Sequence, residues 1–340
     1  MWIFGGVLHG GGLMPARFLP MPNLGLTGGG LLPYQFIASE HGDGAIPYPL
    51  IGSTWAVSGG VAINTPTEGA NVFSAGDMES GDPPTGWSAQ NSATLSANAD
   101  AHGGSQSLSV LGGASYSHGL ATPTVLDDTW YRFRAWIKTL SGLGRIRVAV
   151  VQSSTVYDKL DINAAAYAEY TGGVLASSTA MYQYAYSKAA TDQNLFDDWT
   201  LHPLTLAELP LIMQTGVSDV ICRASWDIAY GNPSGVIVNV DSLSSPLNYV
   251  IAQHNGRNGI GLIKCVNGVY TEVVTATVNH VSDALVEVRK SGTTYQLFYN
   301  NVQQGADQTI SDPEIINNTI HGAFSVGGGS QMKSFFVGKN

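Results

Sequence analysis

The residues of this 340-residue chain whose types and spacing could do chemistry are first of all its carboxylates. Glycoside hydrolysis requires a pair of them, and residues two apart in an extended segment share one face. Asp77 and Glu79 have that spacing in "DMESGDPPTGW", but no E-x-D-x-E motif occurs, and Asp283, Glu272 and Glu287 stand apart. G-x-S-x-G, H-E-x-x-H and Walker A patterns are also missing. The sequence therefore predicts no catalytic residue, and we expect a protein that is not an enzyme.

The eight histidines are scattered, and none has the spacing of metal ligands. We expect them to be surface residues or hydrogen-bonded polar residues of the interior. They are His9, His41, His102, His118, His202, His254, His280 and His321.

Aromatic side chains are the remaining candidates, because sugars stack their apolar C–H faces on Trp and Tyr rings. Trp136 is the strongest, since it lies on the polar side of its predicted strand with Arg132, Arg134 and Lys138. Weaker candidates for carbohydrate binding lie in predicted turns and loops: Trp87, Tyr116, Tyr182, Trp226, Tyr230, His254 and Arg257. The alternative for most of them is a place in the core, since β-sandwiches need large aromatic side chains.

Composition limits the partners. Charged residues make up 12% of the chain, against the usual quarter, and the net charge is −10. An acidic protein without a block of Lys or Arg is a poor ligand for nucleic acid or an anionic membrane. The apolar start has no basic residue before Arg17 and is interrupted by glycines. We therefore expect neither a secretory signal nor insertion into a membrane.

The two cysteines do not form a disulfide framework. Cys222 and Cys265 both lie in predicted strands, and we expect two buried thiols. The alternative is a single bridge between neighbouring strands.

Alternating apolar residues predict strands from Ile51 onward. Residues 53–64 read as a hairpin, residues 105–112 as a strand with Leu108 and Val110 on one face, and residues 130–140 as a longer strand. Two sets of side chains are expected to point inward: Trp55, Val57, Val61 and Ile63 in the hairpin, and Tyr131, Phe133, Ala135 and Ile137 in the long strand. No long helix is expected, and residues 204–212 could hold one short turn.

Turn signals are densest in the last third of the chain. Asn-Gly supplies the two positive φ angles of a type I′ hairpin turn. Three Asn-Gly dipeptides and one Ser-Gly separate apolar runs: Asn255-Gly256, Asn258-Gly259, Asn267-Gly268 and Ser291-Gly292. Short strands at this spacing, in a chain long enough for two domains, predict an all-β protein of two antiparallel β-sandwiches.

Residues 1–49 have a different character. They carry only Arg17, Glu40 and Asp43 as charges and show no helical or strand periodicity. The segment is too apolar for a solvated tail and too rich in Gly and Pro for a helix or a central strand. We expect an extended arm that lies on a partner subunit or on the rest of the chain; the alternative is a disordered tail. The candidate assembly residues are Trp2, Phe4, Phe18, Leu19, Tyr34 and Phe36.

Residues 71–204 resemble the jelly-roll carbohydrate-binding modules with a galactose-binding-like fold. Four motifs carry the likeness: "SAGDMESGDPPTGWSA", "DAHGGSQSLSV", "DDTWYRFRAWIKTLSG" and "NLFDDWTLHPL". The segment from 155 to 192, with "STAMYQYAYSKAA", has no clear counterpart in that family.

This resemblance implies a structural calcium ion where the first and last strands of the module meet. Glu79, Asp197 and main-chain carbonyls of residues 102–105, Gly103 among them, would supply its oxygen ligands, with Asp77 or Asp198 as further ligands. The alternative is a turn whose carboxylates are solvated or cap main-chain amides. No other cofactor is expected.

Residues 205–340 resemble the concanavalin A-like lectin or laminin G-like sandwich. The likeness rests on "NYVIAQHNGRNGIGLIKCVNGVYTEV", "DALVEVRKSGTTYQLFYNNVQQG" and "HGAFSVGGGSQMKSFFVG". The hairpin in residues 50–70 could be the first strands of this sandwich, which would make the jelly roll of residues 71–204 an insertion.

Three functions from different classes fit these observations. The favoured one is a structural virion protein, a phage head decoration or tail fibre component, that is assembled in the host cytoplasm. Its arm would lock it among its own copies and other virion proteins, and its sandwiches would bind cell-surface glycans. The alternative is a secreted or surface lectin-like protein of a bacterium. The third is a glycan-degrading enzyme, but the sequence lacks the set of catalytic carboxylates that such an enzyme needs.

Overall fold

A computed structural model describes residues 32–151 and 154–340. Nearly all of its regular structure is antiparallel β-strand, which confirms the predicted all-β sandwich class. The helical elements within the described part of the chain are one α-helix, Pro313–Ile316, and three 3-10 turns at Ala38–Glu40, Ser74–Asp77 and Leu206–Glu208. The last of these confirms the turn expected in residues 204–212. None of the helices in the described ranges is long and apolar enough to cross a membrane.

Four short strands come first among the described residues: β1 (Tyr34–Ile37), β2 (Gly44–Ala45), β3 (Trp55–Ser58) and β4 (Val61–Asn64). They belong to a sheet that the end of the chain completes.

The next ten strands form the first sandwich: β5 (Ser88–Gln90), β6 (Thr94–Asn98), β7 (Ser107–Leu111), β8 (Ser117–Ala121), β9 (Trp130–Ser141), β10 (Gly144–Val151), β11 (Ser154–Ile162), β12 (Ala168–Leu175), β13 (Tyr182–Ser187) and β14 (Gln193–Pro203). One sheet has the order β11-β10-β13-β8-β5 and the other β12-β9-β14-β7-β6.

The last twelve strands build the second sandwich with the first four: β15 (Pro210–Gln214), β16 (Val220–Asp227), β17 (Ser234–Val240), β18 (Tyr249–His254), β19 (Gly259–Val266), β20 (Val269–Thr277), β21 (Ala284–Ser291), β22 (Thr294–Tyr299), β23 (Val302–Gln303), β24 (Gln308–Thr309), β25 (Ile320–Ser325) and β26 (Gln331–Lys339). One sheet has the order β15-β25-β17-β18-β19-β20. The other follows β2-β3-β4-β26-β16-β21-β22-β23, with β1 paired to β26 and β24 to β22.

The N-terminal strands are therefore part of the second sandwich. Tyr34 pairs with Val337 and Ala62 with Met332, so β1 and β4 both lie along β26. Phe36 is fully buried in the core of this sandwich. The prediction that Phe36 contacts a partner subunit is wrong, because its ring is buried inside its own chain and no partner can reach it. Four other candidate assembly residues lie outside the described residues: Trp2, Phe4, Phe18 and Leu19.

The β3–β4 hairpin differs from its predicted register. Trp55 and Val57 are buried as expected, but Ala62 and Asn64 point inward on β4 instead of Val61 and Ile63. The cause is the two-residue turn Gly59-Gly60, where both φ angles are positive. This turn places Ala62 opposite Val57, and directly opposed residues share a face.

In the described ranges, three large apolar cores hold the molecule together, and Ala149, Tyr184 and Tyr186 form a fourth, small cluster. The core of the first sandwich contains the inward residues expected for the long strand and for β7: Tyr131, Phe133, Ala135, Ile137, Leu108 and Val110. A second core fills the other sandwich. A third lies between the two, where Trp130 and Leu204 of one meet Ile251 and Phe324 of the other. The sandwiches are thus packed against each other rather than joined only by linkers.

Both cysteines are free and buried, as expected. Cys222 lies in the core of the second sandwich and Cys265 in the core between the sandwiches.

The turn predictions are confirmed in part. Asn267 and Gly268 have φ angles of 52° and 82° and connect β19 to β20 as a type I′ turn. The segment from Asn255 to Asn258 is instead a four-residue loop. Its conformation follows from the side chain of Asn255, whose Oδ1 accepts hydrogen bonds from three main-chain N–H groups of residues 257–259.

Candidate functional site

The structure brings together the carboxylates predicted to bind calcium and the loop of residues 102–105, but in two separate groups. Glu79 accepts hydrogen bonds from the main-chain N–H of Ser105 at 2.9 Å, from its hydroxyl at 2.7 Å, and from the N–H of Gln106. These donors lower the pKa of Glu79. Asp77 accepts a hydrogen bond from the N–H of Glu79.

Asp197 forms the second group. Its buried carboxylate accepts hydrogen bonds from the N–H groups of His102 at 2.7 Å, Gly103 at 3.2 Å and Asp198 at 2.8 Å. Burial raises the pKa of Asp197 to about 6, against the effect of these amides. Asp198 pairs with the His102 ring at 2.7 Å.

This arrangement has the form of the amide-capping alternative. The loop presents N–H donors to the carboxylates, whereas calcium requires oxygen ligands. In the described ranges, no three His, Cys, Asp or Glu side chains converge in a way that could hold a metal ion. The residues as placed do not fit a calcium ion, and the calcium site stays a prediction.

Trp136 is half-buried and stacks on the His102 ring, with centroids 3.7 Å apart and planes 13° apart. The imidazole therefore covers one face of the indole. A sugar would have to displace His102, which Asp198 holds, to use that face.

Three of the aromatic and histidine candidates are core residues, so the prediction that they bind carbohydrate is wrong. Trp87 donates from Nε1 to the carbonyl of Ala75 and packs on Trp199. Trp226 is fully buried in the second sandwich. His254 is also fully buried, and its ring stacks on that of Tyr299. The physical reason is the one named as the alternative: each lies on the inward side of its sandwich, where large rings fill the interior.

An aromatic surface covers the outer side of the sheet β11-β10-β13-β8-β5. We call it the tyrosine face; it consists of Tyr116, His118, Arg145, Arg147, Tyr182, Tyr184 and Tyr186. Of these, Tyr116 and Tyr182 were candidates from sequence. Tyr184 and Tyr186 were missed, although the alternation in "YQYAYS" places all three β13 tyrosines on one side of the strand.

The three tyrosines of β13 form a row of near-parallel rings. The centroids of Tyr184 and Tyr186 are 5.7 Å apart with planes at 15°, and those of Tyr182 and Tyr184 are 6.4 Å apart at 26°. No hydrogen bond between described residues uses the hydroxyl groups of this row. Tyr184 and Tyr186 are each only 5% exposed and form a small apolar cluster with Ala149, so Tyr182 is the ring of this row that is open to a ligand.

Arginines and a histidine flank the row on the neighbouring strands. Arg147 lies 4.7 Å from the ring centre of Tyr184 and Arg145 lies 4.8 Å from that of Tyr186, which is the geometry of cation–π contacts. His118 packs on the other side of Tyr186 at 4.5 Å. Burial and the two arginine charges lower the pKa of His118, so its ring is neutral at pH 7.

Tyr116 is the most accessible ring of the face, with 38% of its surface exposed. Its φ angle is 57°, in the left-handed region that a residue with a bulky side chain rarely adopts. The backbone is held there by the hydrogen bond from its N–H to the carbonyl of Lys188 at 2.8 Å. The ring meets Tyr186 edge to face and lies 5.3 Å from the Arg145 guanidinium. Strain of this kind clusters at ligand sites.

The tyrosine face continues into a polar basin at the junction of the two sandwiches. Arg145 forms a two-pronged ion pair with Asp158, at 2.6 and 2.8 Å. On its far side Asp158 lies 3.7 Å from Arg257 of the second sandwich, and Tyr230 donates a hydrogen bond to its carbonyl. The pocket here has a volume of about 280 Å³. Of the candidates in the second sandwich, Arg257 and Tyr230 are thus brought next to the first.

No protein-family model matches this chain, and no curated protein matches it. Among solved structures, the matches include carbohydrate-binding modules. The CBM22-1 xylan-binding domain of Paenibacillus barcinonensis Xyn10C aligns with 42% of this chain and 99% of its own, at 16% identity and a TM-score of 0.34. A second xylan-binding domain from CBM 22 aligns with 40% of this chain and 96% of its own, at 18% identity and a TM-score of 0.33.

The CBM22-1-CBM22-2 tandem of the same Paenibacillus protein aligns with 81% of this chain and all of its own, at 11% identity and a TM-score of 0.33. Similarity this low identifies neither a family nor a ligand for this chain.

Proposed function

We propose that this protein is a non-catalytic glycan-binding protein and that the tyrosine face is its binding surface. The observation that carries the proposal is the exposed ring of Tyr116, fixed by a strained backbone at the end of a row of tyrosines. Sugars present C–H faces that pack on such a ring. Their hydroxyl groups would meet the phenol group of Tyr182 and the guanidinium groups of β10.

The polar basin supports a ligand longer than one sugar. Arg145 touches both the tyrosine face and Asp158, and Asp158 in turn lies beside Arg257. A chain of sugars that starts on Tyr116 would reach side chains of both sandwiches.

A glycan array tests this proposal. The full chain should bind a defined subset of glycans, and the double variant Tyr116→Ser/Tyr182→Ser should lose those signals while keeping its melting temperature within about 2 °C. These two rings are the more exposed ones of the face, so their removal costs little packing. An array without signals for the full chain would contradict the proposal.

We further propose that residues 1–31 anchor the protein in an assembly, as in a virion structural protein that displays its sandwiches to cell-surface glycans. The apolar, charge-poor composition of this segment supports the proposal. The test is the solution mass, by light scattering, of the full chain and of a chain that lacks residues 2–31. Because β1 belongs to the second sandwich, the deletion must stop before Leu32.

A defined oligomer or filament for the full chain and a monomer for the shortened chain would support the assembly role. Two equally stable monomers would contradict it and favour the secreted lectin-like alternative.

A further inference from the structure

The polar basin at the junction of the two sandwiches carries more positive than negative charge. Asp158 is the one carboxylate among the described residues that line it. Arg145 bonds both of its oxygens, and Arg257 lies 3.7 Å from one of them. Nζ of Lys159 lies 4.6 Å from the ring centre of Tyr230, on the wall of the basin. Three cations thus surround a single carboxylate, in a chain whose net charge is −10.

The guanidinium group of Arg257 has hydrogen-bond donors that the protein does not use. An arginine side chain carries five N–H donors. None of those of Arg257 bonds to a described residue, since its distance of 3.7 Å from Asp158 is too long for a hydrogen bond. The carboxylate of Asp158 is already held by Arg145 at 2.6 and 2.8 Å. With 33% of its side chain exposed, Arg257 is open to a ligand in the basin.

The backbone on both sides of Arg257 is fixed before a ligand arrives. Its N–H donates to Oδ1 of Asn255 at 2.9 Å, and its carbonyl accepts from the N–H of His280 at 2.9 Å. The carbonyl of Asn255 accepts in turn from the N–H of Gly231, which ties the loop to the opposite wall of the basin. A group on a fixed backbone loses less conformational freedom when it binds a ligand.

A carboxylate is the anion that suits such a group. The planar fork of a guanidinium matches the two oxygens of a carboxylate, and hydrogen bonds between charged groups are stronger than those between neutral ones. Arg145 and Asp158 show this pairing beside Arg257. The negative charge on the rest of the chain has little effect here, because exposed charges more than about 8 Å apart are largely screened at physiological ionic strength.

We propose that the glycan bound by the tyrosine face carries a carboxylate, as a uronic or a sialic acid does. This inference rests on the proposed function, because it names the ligand class of the same surface. The carboxylate pairs with the guanidinium of Arg257 and is attracted by the charge of Lys159. Neighbouring sugars of the same ligand extend past Arg145 to Tyr116.

The test compares matched glycans on an array: sialyllactose with lactose, and trigalacturonic acid with its methyl ester. The full chain should bind the acidic member of a pair at least about tenfold more tightly, the equivalent of about 1.4 kcal/mol. The two pairs separate a sialic acid from a uronic acid. Added salt should weaken the binding of the acidic member more than that of its neutral counterpart.

The array also separates this inference from the proposed function. Bound glycans that lack a carboxylate, or that keep their affinity when it is esterified, would overturn the inference and leave the proposed function standing. Binding to no glycan would overturn both.

Variants of the basin complete the test by titration with the acidic glycan. Arg257→Gln should weaken its binding about tenfold or more without lowering the melting temperature. Lys159→Gln should weaken it about two- to fivefold, as for an exposed ion pair, and serves even if Arg257→Gln fails to fold. The matched control is Arg223→Gln on the other sheet of the second sandwich. Arg223 lies 3.6 Å from Glu287, which Arg289 also bonds, and its replacement should leave binding unchanged. Unchanged affinity in both basin variants would overturn the inference.

Discussion

Replacing Arg132 with methionine should loosen the junction between the sandwiches. Arg132 belongs to β9 of the first sandwich and is only 3% exposed. Its guanidinium donates to Oδ1 of Asn232 and to the carbonyl of Val326, both in the second sandwich. Burial lowers the pKa of Arg132 to about 10, with Glu68 acting in the opposite direction, so the group is still charged at pH 7.

The expected loss of stability follows from the two acceptors that Arg132 leaves without a donor. Methionine fills most of the volume but leaves two buried acceptors without a donor, each worth about 1.5–3 kcal/mol as a bond to a charged group. Release of the buried charge offsets part of this loss. We expect the free energy of unfolding to fall by about 3–5 kcal/mol. If both sandwiches unfold together, this corresponds to a decrease in melting temperature of roughly 4–7 °C.

The assay is thermal unfolding followed by calorimetry, with Lys333→Met as the control. Lys333 pairs with Asp283 on the surface, and an exposed pair contributes at most about 1 kcal/mol. If Arg132→Met melts at the same temperature as the parent and the control, the guanidinium does not hold the sandwiches together, and the reasoning above fails.

Two further predictions concern metal and pH. Calcium or EDTA should leave the melting temperature unchanged within about 1 °C, because Glu79 and Asp197 already accept main-chain N–H donors; a rise with calcium would show that these amides are displaced. Acid should lower stability between pH 6.5 and 4, because burial holds the pKa of His254 and of His321 at about 4, so the unfolded chain binds protons first. Asp197 opposes this trend, since its pKa is raised to about 6 in the folded state. His321→Asn should reduce the slope by up to about 1.4 kcal/mol per pH unit; a parent protein whose stability is flat over this range would contradict the two histidine assignments.

The sequence predicted those parts of the fold that follow from the alternation of side chains between the two faces of a strand. Tyr131, Phe133, Ala135 and Ile137 alternate without interruption, so their common inward side is readable from one strand alone. Val61 and Ile63 failed because their side depends on how many residues the Gly59-Gly60 turn contains. One residue more or less in a turn reverses every side chain of the following strand.

The proposed binding surface was harder to predict, because exposure on a β-sandwich depends on which of two faces a strand turns outward. Trp87 and Trp226 are of a residue type that binds sugars, but both lie in the cores of the sandwiches. Tyr184 and Tyr186 occur in a segment without a recognisable motif, yet they lie on the outer face. The polar basin at Asp158 and Arg257 could not be predicted at all, since it exists only where the two sandwiches meet.

The central claim, that glycans bind on the tyrosine face, is tested most directly by one titration. A glycan that binds the full chain is titrated into Tyr116→Ala and into Tyr48→Ala, which removes an exposed tyrosine of the second sandwich. Loss of a stacked ring is worth about 1–2 kcal/mol, by analogy with aromatic pairs and cation–π contacts. We therefore expect the affinity to be about tenfold or more weaker for Tyr116→Ala and unchanged for Tyr48→Ala. Equal affinity for both variants would contradict it.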